Sequence, residues 1–501
     1  MKSMHCRKVA AAAYCRGAAG VFATMLAFAD AGAADGYFDS AWPNGTGGGR
    51  ITLTPGLASN IANDIAFRPD GSMVISLATS DSSGDFAAYT TCVISLTANG
   101  GYDYSFGPTQ NGRACLNQFG SFPGKPSIGG RVLIQPDGKI LVVGEYIDDL
   151  VNQKASAFVV RLTATGSLDT DAAGGAGYQA FQFGAADGVD ASNAVSLALQ
   201  ADGKILVAGV GCVDAVAACN FDMGVARFTT QLLFDNTFNG NGRKLVGFDL
   251  GGSKSDVARD VLVQSDQKIV LAGTAQDATT TQAAIVRLDD VGAIDSGFGD
   301  QGRAHFLAGG SDLLVNSAML DASGRILLAG SSNGKLVVAR VRSDGVGLDG
   351  GYGGPGAGYS TSPAGTALIG FGAAVGAGWS DISDAAQGLA LQSDGRIVVA
   401  GYAQLSNGAK NYNPFVVVRL LPDDGAIDTT FGITGKSFGL FSSSDVAASA
   451  FRPAFAPGAR LMLVGTSTPP ANSLTPSVGL GRLYTDLLFW GGFEPPSNDS
   501  N

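Results

Sequence analysis

The stretch Leu199-Gln200-Ala201-Asp202-Gly203-Lys204-Ile205-Leu206-Val207-Ala208-Gly209 decides how the rest of the chain is read. It reads as the end of one strand, a tight Asp-Gly turn and a second strand with no polar face. Variants of it recur six more times, with turn positions at Asp70, Asp137, Asp266, Ser323, Asp394 and Pro457. Successive turns, Asp202 included, are 67, 65, 64, 57, 71 and 63 residues apart, long enough for a small sheet each. Such self-similarity marks a repeat architecture, so the fold follows from what one unit must bury.

The second strands at 140–144, 205–209, 269–273, 326–330 and 397–401 are apolar throughout, with looser end copies at 73–77 and 461–465. A continuous apolar run bounded by turn signals predicts a strand covered on both faces. A third strand follows, as in Phe158-Val159-Val160-Arg161-Leu162 or Phe415-Val416-Val417-Val418-Arg419-Leu420. Then comes an Asp-x-x-Phe-Gly-like turn and a weaker fourth strand, as in Ile294-Asp295-Ser296-Gly297-Phe298-Gly299 leading to Arg303-Ala304-His305-Phe306. A sandwich would show one polar face per strand, and a solenoid would have shorter repeats. The pattern predicts an all-β fold, a seven-bladed β-propeller of four-stranded antiparallel blades.

The ends of the chain predict how the ring closes. The seventh copy has its third strand at 478–483 and then runs into Leu487-Leu488-Phe489-Trp490 without the Asp-x-x-Phe unit. That missing unit stands at the other end, as Gly36-Tyr37-Phe38-Asp39-Ser40-Ala41-Trp42 followed by Gly49-Arg50-Ile51-Thr52-Leu53. The N-terminal strand is therefore expected to complete the last blade and hide two sheet edges.

The Gln-x-Asp-Gly-Lys-Ile-Leu-Val-x-Gly core and the later Arg-Leu…Leu-Asp-x-x-Phe-Gly resemble the delta-60 repeat family of secreted bacterial proteins. The resemblance runs over residues 36–483; copies two, three, four and six are close, the first and seventh are degenerate, and the fifth carries a long insertion. It implies a propeller-like, exported protein, and it brings no activity with it.

Residues 1–33 read as a secretory signal: Lys2, Arg7, Lys8 and Arg16 form a basic start, 18–29 a short apolar core, and Ala31-Gly32-Ala33 an A-x-A cleavage site. The organisation expected is thus a signal over 1–33, a seven-repeat propeller over 34–486 and a tail over 487–501. Export to the periplasm, the cell surface or the medium follows, with no membrane span after cleavage. An uncleaved anchor is the alternative. Removing 1–33, with its four basic residues and Asp30, takes the net charge from −11 to −14. An acidic chain is a poor partner for nucleic acid or an anionic membrane, and a single large ring is expected to act as a monomer. The tail Phe489-Trp490-Gly491-Gly492-Phe493-Glu494 reads either as a sorting tag or as an apolar segment packed on the last blade.

Export leaves four cysteines. Cys212 and Cys219 flank one loop, and Cys92 and Cys115 fall on adjoining third and fourth strands, which predicts Cys92–Cys115 and Cys212–Cys219 disulfides. With one histidine left, His305, and no Cys-x-x-Cys pair, a metal site is the weaker reading. The third-strand arginines Arg161, Arg227, Arg287, Arg340 and Arg419 are followed eight or nine residues later by Asp169, Asp235, Asp295, Asp349 and Asp428. Asp39 would serve Arg482 through ring closure, while Ser95 in the first copy leaves Asp103 without such a partner. A pair repeated in nearly every blade reads as a structural bridge.

Turns between first and second strands, and between third and fourth, are short and alike. The connections at 145–155, 213–218 and 404–413, and above all the stretch 350–380, vary. Strand alternation puts both variable classes on one face, where a rigid scaffold usually binds. The candidate residues there are Asp148, Asp149, Asp187, Asp190 and Asp214 with the aromatics Tyr352, Tyr359 and Trp379. Asp277, Asp381 and Asp384 stand on the same face. These acids would suit Ca²⁺, but no Asp-x-[Asp/Asn]-x-[Asp/Asn]-Gly loop is present, and the recurrence of Asp256, Asp312, Asp384 and Asp445 before first strands favours turn chemistry. No cofactor is expected, with Ca²⁺ as the alternative. The reading is an exported, non-enzymatic scaffold that binds a glycan, peptide or surface partner. The alternatives are a polysaccharide hydrolase or lyase with paired carboxylates and a structural or adhesive surface component.

Overall fold

The computed structural model describes residues 36–43, 48–55, 59–80, 89–120, 125–149, 154–184, 191–212, 220–251, 255–355, 362–443, 445–458, 460–469 and 476–485. The expected signal, the C-terminal tail and several loop tips lie outside these residues. The chain forms seven antiparallel sheets of four strands, the sixth carrying one short extra strand, Asn411–Tyr412, on its second strand. The third sheet shows the plan: Ser192–Leu199, Ile205–Cys212, Phe221–Phe228 and Arg243–Val246 lie in sequence order from the axis outward.

The turn that opens the repeat is built as its sequence demands. Gly203 takes φ +82°, where a side chain is strained, and the Asp202 carboxylate accepts the Lys204 N–H at 3.1 Å. The glycine that ends the motif has a different reason. Every first strand bulges at a corresponding place, the sixth blade's at a second place as well, and at the shared bulge the second strand comes close. A Cβ on Gly209 would lie 1.8 Å from the Asn193 carbonyl oxygen, and Gly273, Gly330, Gly401 and Gly465 are pressed equally hard.

Blades are held together by what lies between them. The buried side chains form seven apolar clusters, each drawn from two neighbouring blades. This is why the middle strands need apolar residues on both faces. One cluster joins Met462, Val464 and Leu480 of the last blade to Ile75 and Leu77 of the first, with Trp42 among them. Arg50–Leu53 pairs antiparallel with Ser477–Leu483, in the register Arg50 to Gly481 through Leu53 to Val478. The ring is therefore closed by the N-terminal strand, as the half-repeat at 36–53 predicts.

Cys92 and Cys115, paired across the third and fourth strands of the first blade, form a disulfide 23 residues apart in sequence. Cys212 is disulfide-bonded too, and its expected partner Cys219 lies outside the described residues. Closing a loop of that length removes unfolded-state entropy worth about 3 kcal/mol. Urea denaturation of a Cys92→Ala, Cys115→Ala double variant is expected to show a loss of about that size.

Candidate functional site

The repeated charges stand on the face of the short turns. Arg161 meets Asp169 at 2.6 Å; Arg227–Asp235, Arg287–Asp295 and Arg419–Asp428 stand at 2.8 Å; Arg340–Asp349 is 2.9 Å and Arg482–Asp39 2.8 Å. Each carboxylate takes a second cation, from the end of the turn between first and second strands: Lys139, Lys204, Lys268, Arg325, Arg396 and Arg460 approach the same six acids at 3.0–3.7 Å. The guanidiniums also reach the next blade, Arg161 at the Thr230 carbonyl (2.6 Å) and Arg340 at that of Pro422 (2.6 Å). Five of them lie over an aromatic ring, that of Phe238, Phe298, Tyr352, Phe431 or Trp42. Burial works against ionised Asp235, but hydrogen bonds from Thr237 and the Arg227 charge outweigh it and hold the carboxyl at about 2.

The first blade departs from expectation. Asp103 is not left alone, because Arg68, one residue past the end of the first strand, stands in for the missing third-strand arginine. It donates to Ser95 Oγ at 3.0 Å and to the Ala164 carbonyl at 3.2 Å, and lies over Phe106; Ser95 Oγ in turn donates to Asp103 at 3.1 Å. The same task is done from the turn that follows the first strand.

On the variable face the candidates separate. Asp148 pairs with Lys125 at 2.6 Å and accepts the Ser156 hydroxyl, and Asp149 stands opposite Lys154 in the hairpin ladder. Asp187, Asp190, Asp214 and Tyr359 lie outside the described residues. Tyr352 is not a loop side chain: it is 0% exposed and lies under Arg340. Asp349-Gly350-Gly351-Tyr352-Gly353 is the fifth copy's Asp-x-x-Phe-Gly turn, with tyrosine for phenylalanine. Trp379 is half-buried and meets Tyr412 edge-on at 6.2 Å. The acids before first strands mostly tie loops: Asp256 accepts the Phe248 N–H, Asp312 that of Thr281 and Asp445 that of Ser442.

Asp381 and Asp384 form a carboxyl pair beneath the insertion. Asp381 accepts the N–H groups of Phe371 (2.7 Å) and Gly372 (2.6 Å), which outweigh its burial and hold it below the ordinary value. Asp384 is 0% exposed; burial first, and then the Asp381 carboxylate, push it up to about 8. The folded chain thus keeps a proton that the unfolded chain releases near the ordinary 3.8. Between those limits the folded state binds more protons, so stability falls as pH rises from about 4 to about 8. Asp381 acts in the opposite sense, and only at the acid end. Asp384→Asn is expected to match the parent's melting temperature near pH 4 and to exceed it at pH 8, in thermal scans across that range.

The centre of the ring holds charges that the sequence reading missed. At or just after the bulge of each first strand stand Asp64, Arg131, Ser196, Asp260, Ser317, Gly388 and Arg452. Arg131 of the second blade contacts Asp260 of the fourth. Arg452 of the seventh donates to Ser317 Oγ of the fifth at 2.7 Å and approaches Asp64 at 3.7 Å and Asp260 at 3.9 Å. The four charges bridge the axis. Alignment of the copies would have revealed them: six of these residues stand six positions before the turn residue, and Arg452 five before Pro457. Beside this knot is a cavity of about 240 Å³.

Among the described residues no three or more His, Cys, Asp or Glu side chains converge as metal ligands, and no helix is long and apolar enough to cross a membrane. Residues 135–171, 264–298 and 392–431 match the model of a domain of unknown function (DUF5122) described as a beta-propeller, which supports a propeller repeat family for the chain. No curated protein matches the sequence. Among solved structures, a virginiamycin B lyase from Staphylococcus aureus is 10% identical with a TM-score of 0.41, over 86% of this chain and 98% of the other. NanB sialidase from Streptococcus pneumoniae is 11% identical with a TM-score of 0.40, over 86% and 70%. An endo-arabinase from Bacteroides thetaiotaomicron is 13% identical with a TM-score of 0.31, over 57% and 92%. None of these likenesses bears on chemistry.

Proposed function

We propose that this chain is an exported, non-enzymatic propeller that holds an extracellular glycan or protein partner on its variable-loop face. The observation that carries the reading is the contrast between the two faces. One repeats the same arrangement, an aspartate between two cations, nearly blade for blade, which serves the ring itself. The other is assembled from connections that differ in length and composition, on a scaffold closed at both ends. Rigid support beneath variable loops is the usual setting for recognition.

The one observation favouring an enzyme is the Asp381–Asp384 pair, whose acidities are pushed apart as an acid–base couple requires. Asp384 is wholly buried, however, and the pair's hydrogen bonds hold the 371–372 backbone. A loop anchor accounts for it better.

Thermal unfolding of the full chain, with and without Ca²⁺ and against bacterial and plant polysaccharides, tests the reading. A ligand that binds only the folded state, at 100 times its dissociation constant, adds about 2.7 kcal/mol. A shift without release of sugar products supports the scaffold; release of products lost in Asp384→Asn would replace it with the hydrolase or lyase.

A further inference from the structure

The axial knot is short of hydrogen-bond acceptors. Its carboxylates are already engaged: Asp64 accepts the Val132 N–H at 3.1 Å, and Asp260 accepts the Ser196 hydroxyl at 2.9 Å, the Ala318 N–H at 2.6 Å and the Ser317 hydroxyl at 3.3 Å. Arg452 reaches both acids only at 3.7 and 3.9 Å. Asn63 Nδ2 and Arg131 Nε are buried without a hydrogen-bond partner, a costly state for two donors.

The charge balance leans the same way. Burial, and then the nearness of Arg131, lower Arg452 from its ordinary value, so the two guanidiniums work against each other. Burial meanwhile pushes Asp64 up, toward its neutral form. A chain of net charge −11 thus sets two guanidiniums, Arg131 and Arg452, beside one carboxyl pushed toward neutrality and one already engaged by three donors.

The cavity brings these donors together. Asn63, Arg131, Asn193 and Arg452 line it, together with residues 128–130 and 194–195. Its lining comes from the bulge and from residues N-terminal to it, the side from which first strands descend out of the variable loops. We propose that this axial cavity binds a small organic carboxylate, gripped by Arg131 and Arg452 with Asn63 Nδ2 donating to one oxygen. The planar guanidinium fork suits a carboxylate, and two guanidiniums that repel each other both gain from an anion between them. The space of about 240 Å³ takes a carboxyl group with several attached carbons. The inference stands apart from the loop-face reading, because it concerns an anion on the axis whether or not the loops hold a partner.

Isothermal titration of the full chain with galacturonate, acetate, galactose and chloride at matched ionic strength tests it. Galacturonate and acetate are expected to bind, and galactose and chloride are not. Asn63→Leu, which removes a donor without removing charge, is expected to weaken binding about tenfold, the size of a hydrogen bond to a charged group. Arg452→Gln is expected to abolish it. Should Arg452→Gln fail to fold, Asn63→Leu still decides. Equal heats from chloride, no heat from either carboxylate at millimolar concentration, or undiminished binding by Asn63→Leu would each overturn the proposal. A polysaccharide shift that persists in Asn63→Leu belongs to the loops and separates the two readings.

Discussion

A chain begun at residue 54 is expected to lose more stability than any single substitution in the ring. The truncation removes Arg50–Leu53 from the last blade and leaves the edge of Ser477–Leu483 unpaired. It also removes Trp42, 1% exposed between the last and first blades, whose indole N–H donates to the Ala98 carbonyl at 3.0 Å. Loss of a buried tryptophan side chain alone costs about 3–5 kcal/mol. Asp39 goes too, so Arg482 and Arg460 lose their shared carboxylate. Trp42→Ala gives the lower bound, and urea denaturation of both proteins measures the difference. The truncated chain should also self-associate in sedimentation experiments through its bared edge. A monomer as stable as the parent would show that the ring does not depend on this closure.

Asp428→Ala is expected to cost about 3–5 kcal/mol, because it strands a buried guanidinium rather than removing a surface pair. Arg419 is 0% exposed, with Asp428 at 2.8 Å and the Phe431 ring at 5.0 Å. Arg396, which approaches the same carboxylate at 3.1 Å, would be left facing Arg419 with no anion between the two cations. Combining Asp428→Ala with Arg419→Met should recover most of the loss, since a well-packed apolar pair often replaces a buried ion pair without penalty. Denaturation of the single and double variants forms the cycle. A small loss in the single variant would mean that water already reaches this end of the blade.

The ring was legible because its causes are local and repeated. An Asp-Gly turn, an apolar strand and an Arg–Asp offset of eight or nine residues all fall within one copy. Asp39 and Trp42 were legible for the same reason, once the half-repeat at the N-terminus was set against the gap at the other end. Lys139, Lys204 and Lys268 were harder to read, since a lysine after a turn looks like a solvated one. Arg68 was hidden because it replaces an absent third-strand arginine from the turn after the first strand. Tyr352 looked like a loop aromatic because the insertion begins just after its turn and obscures the register. Asp64, Arg131, Asp260 and Arg452 come from four separate blades, so no spacing within one copy announces them.

The two ends of the described chain meet. Gly36 N–H donates to the Tyr484 carbonyl at 2.8 Å, and Tyr484 N–H to the Tyr37 carbonyl at 2.9 Å. This seam lies where the last third strand runs out, on the side of the uniform turns and away from the diverse connections. A linker, dye or solid support joined at either residue 36 or residue 485 would therefore leave by one point on the back of the disc. Held by that single tether, the molecule would present its loops outward to whatever approaches.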